Sequence, residues 1–187
     1  MSNSTSLNSI NKYVSKFSSI SGMKTRFWGP NAWNFLFCSV LGTYPDRLDK
    51  KNKTHIKIKN EFINLFNSLG FIMPCIYCRQ SYRQFIKELP LNKYMNTRIE
   101  LCFWLYKLKD KVNKKLLKQE NECFKKEHEK IIARFKEKKI NKIQYKCLYD
   151  KLKKDICITK KSPPFIEVLN KYESYRAGCK NSNKMCK

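Results

Sequence analysis

Pro74-Cys75-Ile76-Tyr77-Cys78-Arg79-Gln80-Ser81-Tyr82-Arg83-Gln84-Phe85-Ile86-Lys87-Glu88-Leu89-Pro90 is the stretch on which the fold turns. Its apolar residues recur at helical spacing and a proline stands at each end, so it predicts a helix with Cys75-x-x-Cys78 in the first turn. A thioredoxin-type site would place this motif after a β-strand, and no segment upstream alternates apolar and polar residues over a strand length. At a helix start, backbone N–H groups and the macrodipole favour thiolate, and a spacing of three lets the second sulfur close a small disulfide. Arg79 and Arg83 add positive charge nearby. The pair suits thiol–disulfide exchange, although the motif alone also fits half a zinc site or a structural loop.

Outward from the pair the periodicity stays helical. Pro30 to Gly42 carries Ala32, Trp33, Phe35, Leu36, Phe37, Val40 and Leu41 and ends in Gly-Thr-Tyr-Pro, which predicts a buried helix. Residues 54–69 put Ile58, Phe62, Leu65, Phe66 and Leu69 on one face, closed by Gly70. From Arg98 to Leu117, Leu101, Trp104, Leu105, Leu108, Val112 and Leu116 step by three and four. Four helices with short connections predict an all-α fold, a four-helix bundle over residues 26–117. Residues 118–161 read as a Lys/Glu-rich helical insertion, and residues 162–187 as a short helix from Phe165 to Arg176 with a Cys-containing tail. Residues 1–25 read as a flexible tail. Leu7, Ile10, Val14 and Phe17 there have the spacing of an amphipathic mitochondrial presequence, yet no Arg precedes Arg26.

The 187 residues are enough for one sizeable core. No window approaches the roughly 18 uninterrupted apolar residues of a spanning helix, and no apolar block precedes a small-residue cleavage site, so neither a membrane span nor a secretory signal is expected. The net charge of +25 raises nucleic acid as a partner. The excess is spread, however: +12 over residues 1–113, +10 over 114–161 and +3 over 162–187. Nine cysteines exceed what a reducing compartment usually tolerates without use, and fall short of a disulfide-dense scaffold. Cys75 and Cys78 form the one C-x-x-C, and His55 and His128 lack metal-ligand spacing and read as surface residues, so no metal site is expected. A dithiol still needs an electron acceptor, and a helical core drawing on three Trp, ten Tyr and twelve Phe could house a flat redox cofactor.

Trp28-Gly-Pro-Asn-Ala-Trp33-Asn-Phe35-Leu36, Tyr44-Pro45, Phe62 to Leu69, Pro74-Cys75-Ile-Tyr-Cys78-Arg79, Trp104-Leu105 and Val112-Asn113-Lys114-Lys115-Leu116 follow one another in a telling order. In order and spacing this resembles the Erv/ALR family of FAD-linked sulfhydryl oxidases, most of all the branch encoded by large cytoplasmic DNA viruses. Tyr172-Glu-Ser-Tyr175-Arg176-Ala177-Gly-Cys179 is similar to the end of those proteins. The resemblance implies a homodimeric bundle holding FAD, oxidation of thiol-containing protein substrates, and transfer of electrons to O2 to give H2O2. It implies that Cys78 is the cofactor-proximal cysteine and Cys75 the one that exchanges with the incoming thiol. Trp28, Trp33, Phe37, Tyr44, Lys109, Val112, Asn113 and Lys115 fall at its cofactor-binding positions, with Lys114 a second cation for the pyrophosphate. Two family histidines are replaced here: Phe37 or Cys38 takes the place of one, and Lys109-Asp110 stands where the other precedes x-Val-Asn. A shuttle or structural disulfide is expected among Cys123, Cys179 and Cys186.

The competing reading of the same residues is a basic helical binding or structural virion protein, stapled by disulfides or zinc and without flavin. If the protein is viral, the resemblance implies host cytoplasm or a virion as its location.

Overall fold

The computed structural model describes residues 22–177. They hold six α-helices: α1 (Thr25–Thr43), α2 (Lys53–Ile72), α3 (Ile76–Glu88), α4 (Arg98–Lys136), α5 (Lys142–Ile156) and α6 (Phe165–Glu173), with a 3-10 turn at Leu91–Tyr94. No strand occurs among the described residues, so the all-α expectation holds; backbone pairing outside helices is confined there to Gly22 with Cys75 and Arg47 with Thr97. No described helix is long and apolar enough to cross a membrane.

Helix starts follow the side chains that meet their first N–H groups. Asn52 Oδ1 accepts from the N–H of Thr54 and His55 at 2.9 and 3.2 Å, opening α2. Thr97 and Glu100 cap one another across the start of α4: Thr97 Oγ1 accepts from Glu100 N–H at 3.1 Å and Glu100 Oε2 from Thr97 N–H at 3.2 Å. Asn141 and Gln144 repeat the arrangement for α5. α1 begins a turn earlier than the proline suggested. Pro30 is its sixth residue, on an exposed side of the second turn, where it removes the bond an N–H would make to Arg26 O. α2 runs past Gly70, where the absent side chain admits α3: a Cβ there would meet Arg83 Cγ at 3.0 Å. α4 continues past residue 117 to Lys136 without a break.

The chain divides into two compact units at Cys102/Phe103, within α4. In the first, Leu36, Phe37, Val40, Leu41 and Tyr44 from α1, Phe62 and Phe66 from α2, Tyr82 from α3, and Met95, Leu101 and Cys102 are buried. Tyr44 meets Phe62 edge-on with centroids 5.5 Å apart, and Tyr82 donates its hydroxyl proton to Phe66 O at 2.7 Å. Tyr44 likewise donates to Met95 O at 2.7 Å, and Arg98 bonds Tyr44 O and pairs with Asp46 at 2.7 Å. These contacts tie the end of α1 to the start of α4.

In the second unit, α6 packs Phe165 against Phe103 and Tyr106, centroids 5.0 and 5.4 Å away. Tyr106 OH donates to Pro163 O at 2.9 Å, and Glu120 receives the N–H and hydroxyl of Thr159. α5 folds back after a turn in which Lys138 takes φ 56°, and its Tyr145 and Tyr149 join Phe124 and His128 of α4. His128, expected at the surface, is therefore half-buried, with Nε2 2.8 Å from Tyr145 OH.

Candidate active site

Cys75 is itself the N-cap of α3. Its backbone is extended (φ −126°, ψ 122°), and its sulfur accepts from Cys78 N–H at 3.3 Å, so the first cysteine fills the capping role that an Asn or Ser would otherwise take. Pro74 ahead of it keeps residue 73 out of the helical region, since Met73 sits at ψ 136° and ends α2. The fixed break between α2 and α3 sets both sulfurs at one helix start, as the sequence indicated.

Two segments close over this start. Gly22 pairs with the Cys75 backbone and Met23 N–H donates to Pro74 O at 2.7 Å. Gly22 adopts φ 81°, and a Cβ there would sit 1.9 Å from Pro74 O, so the pairing depends on glycine. Trp28 Nε1 donates to Met23 O at 3.3 Å, and Thr25 Oγ1 lies 3.4 Å from Cys78 Sγ. Residues 22–24, read from sequence as tail, are thus docked on the dithiol. Cys75 is buried and Cys78 half-buried.

Burial pushes the Cys75 thiol up, but hydrogen bonds from the Cys78 thiol, Cys78 N–H, the Thr25 hydroxyl and Tyr77 N–H outweigh it and leave the thiol below its ordinary value. The sequence credited Arg79 and Arg83 with this effect. Instead Arg79 Nη1 turns back to Met73 O at 2.6 Å, and Arg83 lies 5.6 Å over the Phe71 ring. Hydrogen bonding is the cause; these guanidinium groups are engaged elsewhere.

Of the residues at the cofactor-binding positions, Trp28 and Trp33 are half-buried, while Phe37 and Tyr44 are fully buried. Trp33 and Phe37 are one turn apart on α1, and Cys38 faces solvent, so Phe37 rather than Cys38 occupies the inward place. Burial, aided by the Glu100 carboxylate, pushes the Tyr44 phenol up to about 12. Lys109, Val112 and Asn113 belong to the second unit and share one face of α4 by i, i+3, i+4 spacing, all half-buried, with Lys115 half-buried on the flank. Asn113 donates to Ser162 Oγ at 2.9 Å, and Lys114 pairs with Asp110 at 2.7 Å. Burial and the neighbouring Lys171 charge push the Lys109 ammonium down.

Cys38, Cys75, Cys78, Cys102, Cys123, Cys147 and Cys157 are thiols, with Cys123 exposed on α4. Cys179 and Cys186 lie outside the described residues, as does the presequence-like stretch. Sequence reasoning passed over Gly22, Met23 and Thr25. Nothing local announces a hydroxyl that meets a sulfur 53 positions away.

Residues 30–142 match the sequence profile of the Erv1/Alr family. The mitochondrial FAD-linked sulfhydryl oxidase ERV1 of Saccharomyces cerevisiae is 32% identical over 95 residues, 51% of this chain and 46% of that protein. The probable FAD-linked sulfhydryl oxidase R368 of Acanthamoeba polyphaga mimivirus is 28% identical over 92 residues, 49% of this chain and 59% of the viral protein. The chain thus spans about half the length of the curated relatives it matches. Among solved structures, the yeast Erv1 core aligns at TM-score 0.43 and 24% identity, covering 53% of this chain and 76% of that one.

Proposed function

Since the chain belongs to the Erv1/Alr family, we propose that it is an FAD-linked sulfhydryl oxidase that makes disulfides in protein thiols and delivers the electrons to dioxygen. The observation that carries this reading is the dithiol at the start of α3, with one sulfur capping the helix and its thiol held below the ordinary value. The names of the yeast and mimivirus relatives support the same chemistry.

In the oxidised enzyme the reading starts from a Cys75–Cys78 disulfide. A substrate thiolate attacks Cys75 Sγ, the S–S bond breaks, and the electron pair leaves on Cys78 as thiolate, favoured by the positive end of the α3 dipole. A second substrate thiolate then attacks its partner's sulfur and displaces Cys75. The products are one substrate disulfide and one reduced pair, with two electrons now on the enzyme.

The residues present fit FAD in kind. Lys109 and Lys115 are half-buried cations on one helix, the side-chain type that meets a pyrophosphate. Trp28 and Trp33 keep aromatic surface accessible in the first unit. In this reading Trp28 and Trp33, with Val112, Asn113, Lys109 and Lys115, hold the cofactor, and the fully buried Phe37 and Tyr44 support them from the core. When bound, FAD would accept two electrons from the reduced pair, whose Cys75–Cys78 disulfide re-forms as its two protons are released, and would pass them with two protons to dioxygen, giving hydrogen peroxide. Cys78 presents the thiolate. By the same resemblance the reading includes a homodimer, a shuttle disulfide among Cys123, Cys179 and Cys186, and residence in host cytoplasm or a virion.

The test is the visible spectrum of the purified full chain before and after denaturation. About one FAD per chain, released on unfolding, is the expected result. A colourless protein that takes up no added FAD and consumes no oxygen with a dithiol overturns the reading and favours the flavin-free alternative.

A further inference from the structure

The hydroxyl nearest the dithiol has no place in the mechanism above. Thr25 is the first residue of α1, and its Oγ1 lies 3.4 Å from Cys78 Sγ across 53 positions of sequence. We propose that Thr25 belongs to the reacting site: its hydroxyl donates a hydrogen bond to whichever sulfur of the Cys75–Cys78 pair carries the negative charge, and the docking of Gly22 and Met23 on Pro74 and Cys75 holds it there. The assignment deepens the oxidase reading and rests on it for its place in turnover.

The direction of the bond follows from the inventory of protons. Between a neutral thiol and a hydroxyl either group can donate, but a thiolate has no proton, so once a sulfur ionises the Thr25 hydroxyl must be the donor. Hydrogen bonds to charged groups are the stronger class, and the donor therefore favours the ionised form. Thr25 is counted among the donors that leave the Cys75 thiol below its ordinary value, alongside two N–H groups of the helix start.

The hydroxyl is positioned by contacts that do not involve sulfur. Met23 N–H bonds Pro74 O at 2.7 Å, Trp28 Nε1 bonds Met23 O at 3.3 Å, and Gly29, one turn along α1, leaves room for Thr25 Cγ2, which a Cβ there would meet at 3.1 Å. The methyl packs on α1 while the hydroxyl faces the sulfurs. Serine preserves the donor and valine preserves the shape, so the two variants separate chemistry from packing.

The experiment follows alkylation of the reduced full-length protein by iodoacetamide from roughly pH 5 to 10, without oxygen, reading Cys75 and Cys78 adducts by mass spectrometry. The midpoint is the quantity to read, because a thiolate of lower pKa is also a weaker nucleophile and rates alone mix the two effects. Thr25→Val is expected to raise the midpoint of the pair by about one pH unit, a tenfold loss of thiolate below both midpoints. Thr25→Ser should keep the native profile, and Cys147 in the same samples should not move. Gly22→Ala, whose Cβ would collide with Pro74 O, should reproduce the valine shift and serves as the second variant if valine fails to fold.

The proposal is overturned if Thr25→Val, with a native circular dichroism spectrum, superimposes on the wild type, if serine shifts as far as valine, or if Cys147 shifts with the pair. A native midpoint in Gly22→Ala overturns the holding role of the docked segment. Because the readout needs no flavin, an active FAD-bound protein with no shift sinks this assignment alone, whereas a flavin-free protein with the shift intact sinks only the oxidase reading.

Discussion

The first unit and the hairpin of α4 and α5 in the second are both helical, yet they are held together differently. Up to Cys102 the elements share fully buried side chains: Phe37, Val40, Tyr44, Phe66, Met95 and Leu101 have almost no exposed surface. In the hairpin of α4 and α5, Ile140 is the buried residue among 118–161, and the contacts are half-buried rings around His128 together with polar anchors such as Glu120 to Thr159. The difference teaches what each part can do. Close-packed side chains resist displacement, so the core under α3 can keep the helix start that carries the two sulfurs in a fixed place. A solvated hairpin with ion pairs such as Lys130 to Glu127 at 2.7 Å gains a few tenths of a kcal/mol from each, by order of magnitude about 0.2–0.5, and imposes far less precision.

The largest effect belongs to the dithiol. Cys75→Ala and Cys78→Ala should each remove dithiol-dependent oxygen uptake by about three orders of magnitude or more, because neither sulfur can complete exchange alone. Cys147→Ala, exposed in the second unit, should leave turnover unchanged. An oxygen-electrode assay decides it, and residual turnover in the double variant at wild-type level would break the assignment of chemistry to the first unit.

Next comes packing. Phe66→Ala, at 1% exposure, should cost about 3–5 kcal/mol of stability, whereas Phe124→Ala in the hairpin should cost about 1–2 kcal/mol, since less surface is lost from water there. Urea unfolding followed by circular dichroism measures both. Equal losses would mean that the first unit and the hairpin are not differently packed after all.

The smallest effect is a matter of pH. The native Cys75 thiol is held below its ordinary value, so the folded state binds thiolate better than the unfolded chain does. Its contribution to stability is therefore complete above the ordinary thiol value of 9.0, and is lost as pH falls through the lowered native value. Stability of the reduced protein measured across that window should rise with pH by more than it does in Cys75→Ala. A difference of opposite sign would mean that burial, rather than hydrogen bonding, controls this thiol.

Much of the fold was legible because its signals are local. The face through Ile58, Phe62, Leu65 and Phe66 and the proline before Cys75 report helix positions directly, and α2 and α3 lie within a few residues of the expected ends. Thr97-x-x-Glu100 and Asn141-x-x-Gln144 were equally readable starts that periodicity alone did not pick out. The stop expected at residue 117 rested on a change of composition, and composition does not end a helix: no Gly or Pro intervenes between Thr97 and Lys136. His128 was misplaced for a tertiary reason, since its partners Tyr145 and Tyr149 arrive on another helix.

The sequence by itself determined the helical class and a dithiol at a helix start, because spacing along one chain fixes which residues share a face and which begin a helix, while the order of its motifs carried the resemblance to the family. Tertiary structure alone decided that Phe37 points inward and Cys38 outward, that Arg79 turns to Met73 O rather than serving the thiols, and that Thr25 reaches Cys78. Those outcomes depend on distances of a few ångströms between segments far apart in sequence. A hydrogen bond reads such distances, and a periodicity does not.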